Sequence, residues 1–112
     1  MTRDSQAFHI ATEQRGEESF VKLEGSITID SSPDLRRVVL RLLKAPGSPR
    51  LTLDFSDVTY IDTSCLAVLV EVLRFAKQSG KSLQLSGLRD RPRYLLESTG
   101  LLRLFDEAPT KQ

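Results

Sequence analysis

The sequence predicts an α/β domain, because segments with apolar residues at alternate positions are separated by segments in which apolar residues recur at helical spacing. Residues 51–55 show the strand-like alternation, and residues 35–43 show the helical spacing. Four strand-like segments along the chain predict a mixed sheet of about four strands.

The first third of the chain predicts a hairpin followed by a helix. Residues 6–13 and 19–25 supply the apolar content of two strands, and a short turn that contains a glycine joins them. Ser31 or Ser32 then caps a helix, because a serine hydroxyl can accept a hydrogen bond from the first turn. Pro33 lies at a position where its missing N–H has no cost.

The middle of the chain predicts a strand that leads directly into a long helix. After the strand over residues 51–55, we expect Val58, Tyr60 and Ile61 to carry the chain towards the core. The helix is expected over residues 64–79, because a glycine follows it at a position typical of a helix end.

A further strand–helix unit is predicted near the end of the chain. Leu83, Leu85 and Leu88 mark the strand, and Asp90 is expected to cap a short helix over residues 91–98. The order of strand and helix is typical of βαβ units.

Length and composition predict one domain over residues 1–112, with flexible tails at 1–5 and 109–112. The 16 basic and 15 acidic residues give no electrostatic reason to expect binding to nucleic acid. Direct membrane insertion is not expected, because no apolar run approaches the roughly 18–20 residues that span a bilayer. A single cysteine and the absence of a signal-like start predict a cytoplasmic protein.

Asp62, Thr63 and Ser64 lie at the predicted start of the long helix. The first N–H groups of a helix have no partner within it and carry partial positive charge, so this end tolerates an added anion. A phosphate on either hydroxyl would find backbone N–H donors close by. The simpler interpretation is that both hydroxyls only cap the helix, which is common for serine and threonine.

The residue pattern of the same helix predicts one solvent-exposed face, and Glu71 and Arg74 mark its polar side. Projected back towards the helix start, that side contains four residues: Thr63, Ser64, Ala67 and Val70. The residues expected in the core lie opposite: Leu66, Leu69, Leu73 and Ala76. A phosphate at Thr63 would add roughly −1.5 to −2 charges beside a small apolar surface and would prevent a partner from docking there.

Other candidate sites are weaker. Cys65 near a helix start could be a nucleophile, but the only histidine, His9, is far away in sequence, so a buried structural role is expected. Asp54, Asp57 and Asp62 could suggest a metal cluster, although the first two are typical of strand ends and turns that bind local backbone. We therefore expect no metal and no cofactor, and an enzyme is the least expected class.

Several segments, taken in order, resemble the STAS domain family. Asp62-Thr-Ser-Cys-Leu66 is similar to the family's turn, which reads roughly Asp-Ser/Thr-Ser/Thr-Gly-Leu. In residues 21–35, Gly25 and Pro33 stand in the expected places, and residues 81–102 are similar to the last third of the family's members. The resemblance implies a STAS-like mixed sheet covered by helices on one face.

The resemblance also implies the function of a bacterial anti-sigma-factor antagonist, which binds an anti-sigma factor when unphosphorylated and so releases the sigma factor. Thr63 is the implied phosphorylation site, with Ser64 as the substitute. In the family the anti-sigma factor is often also the Ser/Thr kinase, and a PP2C-type phosphatase reverses the modification. The implied partner-binding residues are Asp62, Thr63, Ser64, Ala67, Val70, Glu71 and Arg74.

Two departures from the family pattern bear on the kinetics of phosphorylation: Cys65 stands where the family usually has glycine, and Thr28 where it often has aspartate. Residues 61–67 also resemble the STAS subunits of phospholipid-transport ABC systems, which would bind their ATPase constitutively through the same helix face. A scaffold component of a stressosome-like assembly is the third alternative, and the sequence leaves the oligomeric state open.

Overall fold

The computed structural model describes residues 7–47 and 49–107, and this part of the chain forms an α/β domain. Its strands are β1 (His9–Arg15), β2 (Glu18–Ile27), β3 (Arg50–Ile61), β4 (Ser82–Ser86) and β5 (Asp106–Glu107). Its helices are α1 (Ser32–Lys44), α2 (Thr63–Gln78) and α3 (Asp90–Ser98), followed by a 3₁₀ turn at Leu102–Leu104. The tails predicted to be flexible, 1–5 and 109–112, lie outside the described residues.

The strands form one mixed sheet in the order β1-β2-β3-β4-β5, in which β1 and β2 are antiparallel and the other pairs are parallel. The predicted α/β class and mixed sheet are confirmed, but the sheet has five strands instead of about four. The unpredicted strand, β5, consists of two acidic residues that pair with Gln84 and Leu85. Two charged residues carry no apolar alternation, so the sequence pattern does not reveal them.

One face of the sheet packs against the helices. Alternate strand residues point into this core: Val21, Leu23, Leu51, Leu53, Phe55, Leu83 and Leu85. The residues between them, such as Lys22, Asp54 and Gln84, line an open groove on the other face. The coverage by helices on one face is therefore confirmed.

Strand β3 extends well past the end of β4 and carries the chain to the start of α2. Only residues 50–54 of β3 pair with β4, whereas pairing with β2 continues to Ile61. The pairing shifts register near Gly25, so the alternation of faces is interrupted: Val58 and Ile61 are buried, but Tyr60 is 39% exposed. The expectation that Tyr60 leads into the core was wrong for this reason.

The start of α3 also differs from the prediction. Arg89 occupies the position before the helix, with extended backbone, and no side chain caps the first turn. Asp90 is instead the first helical residue, with a φ of 55°. The predicted cap was wrong because the backbone places Asp90 one residue too late for its carboxylate to reach the first N–H groups.

No helix within the described part of the chain has both the length and the apolar character needed to cross a membrane.

Candidate functional site

The carboxylate of Asp62 joins the start of α2 to the loop that follows β2. Its Oδ1 accepts hydrogen bonds from the Ser64 N–H at 2.9 Å, the Ser64 hydroxyl at 2.5 Å and the Cys65 N–H at 3.3 Å. Its Oδ2 accepts from the N–H of Ile29 at 3.0 Å. Asp62 is therefore both the N-cap of α2 and an anchor for a loop that is distant in sequence.

The environment of Asp62 favours its charged form. Burial acts to raise the pKa of this carboxyl, but the hydrogen bonds from Ser64, Cys65 and Ile29 together outweigh it, so the pKa lies below its ordinary value. The carboxylate is thus held as an anion at the helix start.

The loop that Asp62 anchors is itself tightly hydrogen-bonded. The Ser31 hydroxyl accepts from the Thr28 N–H at 2.9 Å and donates to the Ser26 carbonyl at 3.1 Å. The Thr28 hydroxyl accepts from the Asp30 N–H at 3.3 Å. Ser31 thus holds the predicted cap position of α1, but its hydroxyl bonds the loop instead of the helix.

Thr63 and Ser64 lie side by side, but their hydroxyls differ. The Ser64 hydroxyl is committed to Asp62, whereas Thr63 is exposed and its hydroxyl makes no hydrogen bond to any described residue. The N–H groups of Ser64 and Cys65 are also occupied by Asp62. In the unmodified protein a carboxylate therefore fills these two donors, and a phosphate at Thr63 would have to compete with Asp62 for them.

The predicted orientation of α2 is confirmed. Thr63, Ala67, Glu71 and Arg74 are exposed along one stripe, and Val70 is half-buried at its edge. The residues predicted to face the core are all buried: Leu66, Leu69, Leu73 and Ala76. The implied partner-binding residues therefore share one surface, which we call the α2 face: Asp62, Thr63, Ser64, Ala67, Val70, Glu71 and Arg74.

The structure adds two residues to this surface. Arg36 of α1 binds Glu71 through both Nε and Nη2, with N···O distances between 2.7 and 2.9 Å, and this contact lowers the pKa of Glu71. Ile29 is 71% exposed beside Asp62. Neither residue was predicted from the sequence. The Arg36–Glu71 ion pair joins two helices, so no local pattern indicates it. The one signal for Ile29 was an apolar residue between two polar loop residues.

Cys65 is fully buried in the core beneath the first turn of α2. Burial, together with the nearby charge of Asp62, raises the pKa of its thiol to about 12. The thiol is therefore protonated near neutral pH, as the predicted structural role requires, and it is a poor nucleophile.

The remaining carboxylates do not converge with Asp62. Asp54 accepts hydrogen bonds from the N–H and hydroxyl of Ser56 at 2.9 and 2.7 Å, and Asp57 forms an ion pair with Lys22 at 2.9 Å. The contacts of Asp54 are the local ones predicted for a strand-end residue, whereas Asp57 binds a side chain of the neighbouring strand β2 instead of local backbone. Within residues 7–47 and 49–107, no three potential metal ligands come together.

Comparison with known proteins gives matches over most of the chain. A family model described as "Mlab, STAS domain" matches residues 10–106. The anti-sigma-B factor antagonist of Bacillus subtilis (strain 168) is 34% identical over 86 residues, which are 77% of this chain and 77% of that protein. The protein of the same name from Staphylococcus aureus (strain NCTC 8325) is 31% identical over 85 residues, 76% and 78% of the two chains.

Solved structures share the fold. An anti-sigma factor antagonist from Mycobacterium paratuberculosis superposes with a TM-score of 0.83 at 20% identity, covering 94% of this chain and 88% of that one. The anti-sigma factor antagonist SpoIIAA in its unphosphorylated form gives 0.77 at 14% identity, with coverage of 90% and 89%.

Proposed function

Because the chain belongs to the STAS domain family, we propose that it is an anti-sigma-factor antagonist that is switched off by phosphorylation of Thr63. In its unmodified form it binds an anti-sigma factor through the α2 face and so releases the sigma factor. It acts as a binding protein and not as an enzyme, in the bacterial cytoplasm where transcription takes place. The curated relatives from B. subtilis and S. aureus are named anti-sigma-B factor antagonists, which supports this proposal.

The different environments of the two hydroxyls are the observation that supports Thr63 as the phosphorylation site. Its hydroxyl is exposed and uncommitted among the described residues, so a kinase can reach it without breaking a structural contact. Modification of Ser64 would instead remove the hydrogen bond that its hydroxyl donates to Asp62 at 2.5 Å. Thr63 is therefore the proposed switch, and Ser64 remains the substitute.

A phosphate at Thr63 would act mainly through its charge. It would bring roughly −1.5 to −2 charges next to Asp62, whose carboxylate already occupies two N–H groups of the helix start. The phosphate would therefore point to solvent, beside the apolar surface of Ala67 and Val70. A partner docking on that surface would have to desolvate the charge, which opposes binding.

A Ser/Thr kinase and an opposing phosphatase complete the proposed cycle. In the implied arrangement the anti-sigma factor is itself the kinase, and a PP2C-type phosphatase restores the active form. SpoIIAA, whose fold is similar, has been solved in unphosphorylated and phosphorylated forms.

Peptide mass spectrometry of the protein recovered from its native bacterium tests the switch. We expect phosphate on the peptide that contains Thr63, and we expect Thr63→Ala to abolish incorporation by a co-encoded kinase in vitro. Ser64→Ala is the matched control and should still be phosphorylated. Phosphate lost only in Ser64→Ala would move the site, and no phosphate with any co-encoded kinase would favour constitutive binding of an ABC ATPase.

Charge substitutions on α2 test the binding face. Ala67→Glu should change the free energy of unfolding by no more than about 0.5 kcal/mol, because the residue is exposed. It should abolish binding of the anti-sigma factor, since the new charge would be buried without a partner. Leu69→Glu is the contrast and should unfold the domain, because Leu69 is completely buried.

A further inference from the structure

Three large side chains form an exposed patch at the start of α3, which we call the α3 patch: Tyr60, Arg91 and Tyr94. The guanidinium carbon of Arg91 lies 5.6 Å from the centre of the Tyr60 ring. Tyr94 follows Arg91 by three residues, so both lie on one side of α3. Tyr94 is 67% exposed and Tyr60 is 39% exposed. Tyrosine and arginine dominate the energetic centres of protein interfaces, because each offers a large contact area with a polar end.

The backbone beneath the α3 patch is held tightly against β3. A Cβ atom at Gly87 would lie only 2.7 Å from the backbone nitrogen of Ser56, so the two segments are in direct contact. Arg89 donates a hydrogen bond to the Ser56 carbonyl at 2.8 Å. Asp90, with its φ of 55°, is the one non-glycine residue of the described chain in the left-handed region. Such a conformation persists where surrounding contacts hold it, so the backbone that leads into the patch is preorganised.

The α3 patch adjoins the α2 face. Tyr60 precedes Asp62 by two residues, which in a strand corresponds to about 6–7 Å. From Arg91 to Tyr94 the helix rises by about 4.5 Å. The α3 patch therefore begins beside the Asp62 end of the α2 face.

The α2 face offers few large apolar side chains to a partner. Besides the exposed Ile29, its apolar surface comes from Ala67 and Val70, which are small, and Val70 is already half-buried. Within the described residues Arg91 has no carboxylate partner, so its charge is available to another molecule. We propose that the α3 patch is the second half of the partner interface: the protein that docks on the α2 face also places carboxylates against Arg91 and an apolar pocket over Tyr94. The inference rests on the proposed function, because it assigns both surfaces to the same anti-sigma factor.

Site-specific photocrosslinking in the native bacterium tests whether one partner covers both surfaces. The photoreactive residue p-benzoylphenylalanine would replace Ala67, Tyr94 or, as the control, Thr12, which is exposed on β1 along the open groove. We expect the first two positions to capture the same anti-sigma factor, identified by mass spectrometry, and Thr12 to capture none of it. Capture from Ala67 alone, or of a different protein from Tyr94, overturns the inference and leaves the proposed function standing. No anti-sigma factor at Ala67 overturns both.

Affinity measurements with that purified anti-sigma factor give a second test. Tyr94→Ala and Arg91→Gln should each weaken binding about tenfold, which is typical of truncating an interface centre. Leu104→Ala and Arg103→Gln are the matched controls on the exposed 3₁₀ turn and should bind like the wild type. Unchanged affinity for both patch variants, while Ala67→Glu abolishes binding, overturns the inference only. Unchanged affinity for Ala67→Glu as well overturns the proposed function with it.

Discussion

Helices α2 and α3 both start near an aspartate, yet they begin in opposite ways. At α2, Asp62 precedes the helix and its carboxylate accepts four hydrogen bonds from the first turn and from Ile29. At α3, Arg89 takes the corresponding position without capping, and Asp90 has a φ of 55°. The first start is stabilised by its own side chain, whereas the second is held by contacts of the preceding loop with β3.

An aspartate near a helix start is a cap only when the backbone places it before the first turn. The extended backbone of Asp62, with φ of −118° and ψ of −174°, turns its carboxylate towards the N–H groups of the helix. One residue later, the same side chain has no such access. The two starts therefore respond differently to the same kind of substitution.

Replacement of Asp62 by alanine should produce the largest effect. We expect Asp62→Ala to lower the free energy of unfolding by about 3 kcal/mol, because it removes a cap and leaves the Ile29 N–H without its charged acceptor. Urea unfolding at neutral pH measures the loss. Asp90→Ala is the matched control, expected to cost less than about 1 kcal/mol; similar costs for both variants would contradict the contrast between the two starts.

Replacement of Cys65 should come next. We expect Cys65→Gly to cost about 2 kcal/mol, through a lost buried side chain and the poor helix propensity of glycine. Cys65→Ala should cost about half as much, because it keeps the propensity and loses only the thiol. Melting curves of the two variants separate these contributions, and a glycine variant as stable as the wild type would show that Cys65 is not a packing residue.

Acidification should weaken the α2 start by a smaller, graded amount. The pKa of Asp62 is lowered in the folded protein, so its carboxylate contributes stability above its unfolded pKa and loses that contribution as the pH falls through the folded value. Asp62→Asn has no charge to lose at this position. Unfolding measured from pH 7 down to about 3 should therefore show the two proteins converging in stability, whereas a constant difference would refute the assignment.

The smallest effect has the opposite sign. Asp90→Gly should raise the free energy of unfolding by up to about 0.5 kcal/mol, because glycine adopts a positive φ without steric cost. Asp62→Gly should destabilise the protein, since it removes the anchor of Ile29. Paired urea titrations would give the two signs, and a loss in both variants would show that Asp90 is not strained.

Regular packing could be predicted from the sequence, and contacts between distant segments could not. The alternation in β3 and the helical spacing in α2 follow from burial on one face, so Leu69 and Ala67 were placed correctly. Tyr60 was misplaced because a register shift between β2 and β3 interrupts the alternation. The link from Asp62 to Ile29 joins residues that are separated by a whole helix and strand, and no local pattern encodes it.

That link couples the opening motions of two segments. The amides of Ile29 and Ser64 both donate to one carboxylate, so they should exchange their hydrogens with solvent as a single unit when Asp62 releases them. A group at Thr63 that displaces the Asp62 carboxylate would then accelerate hydrogen exchange at the Ile29 amide, which lies in a different loop. Hydrogen exchange at that one amide would report the state of the helix start without a probe placed on it.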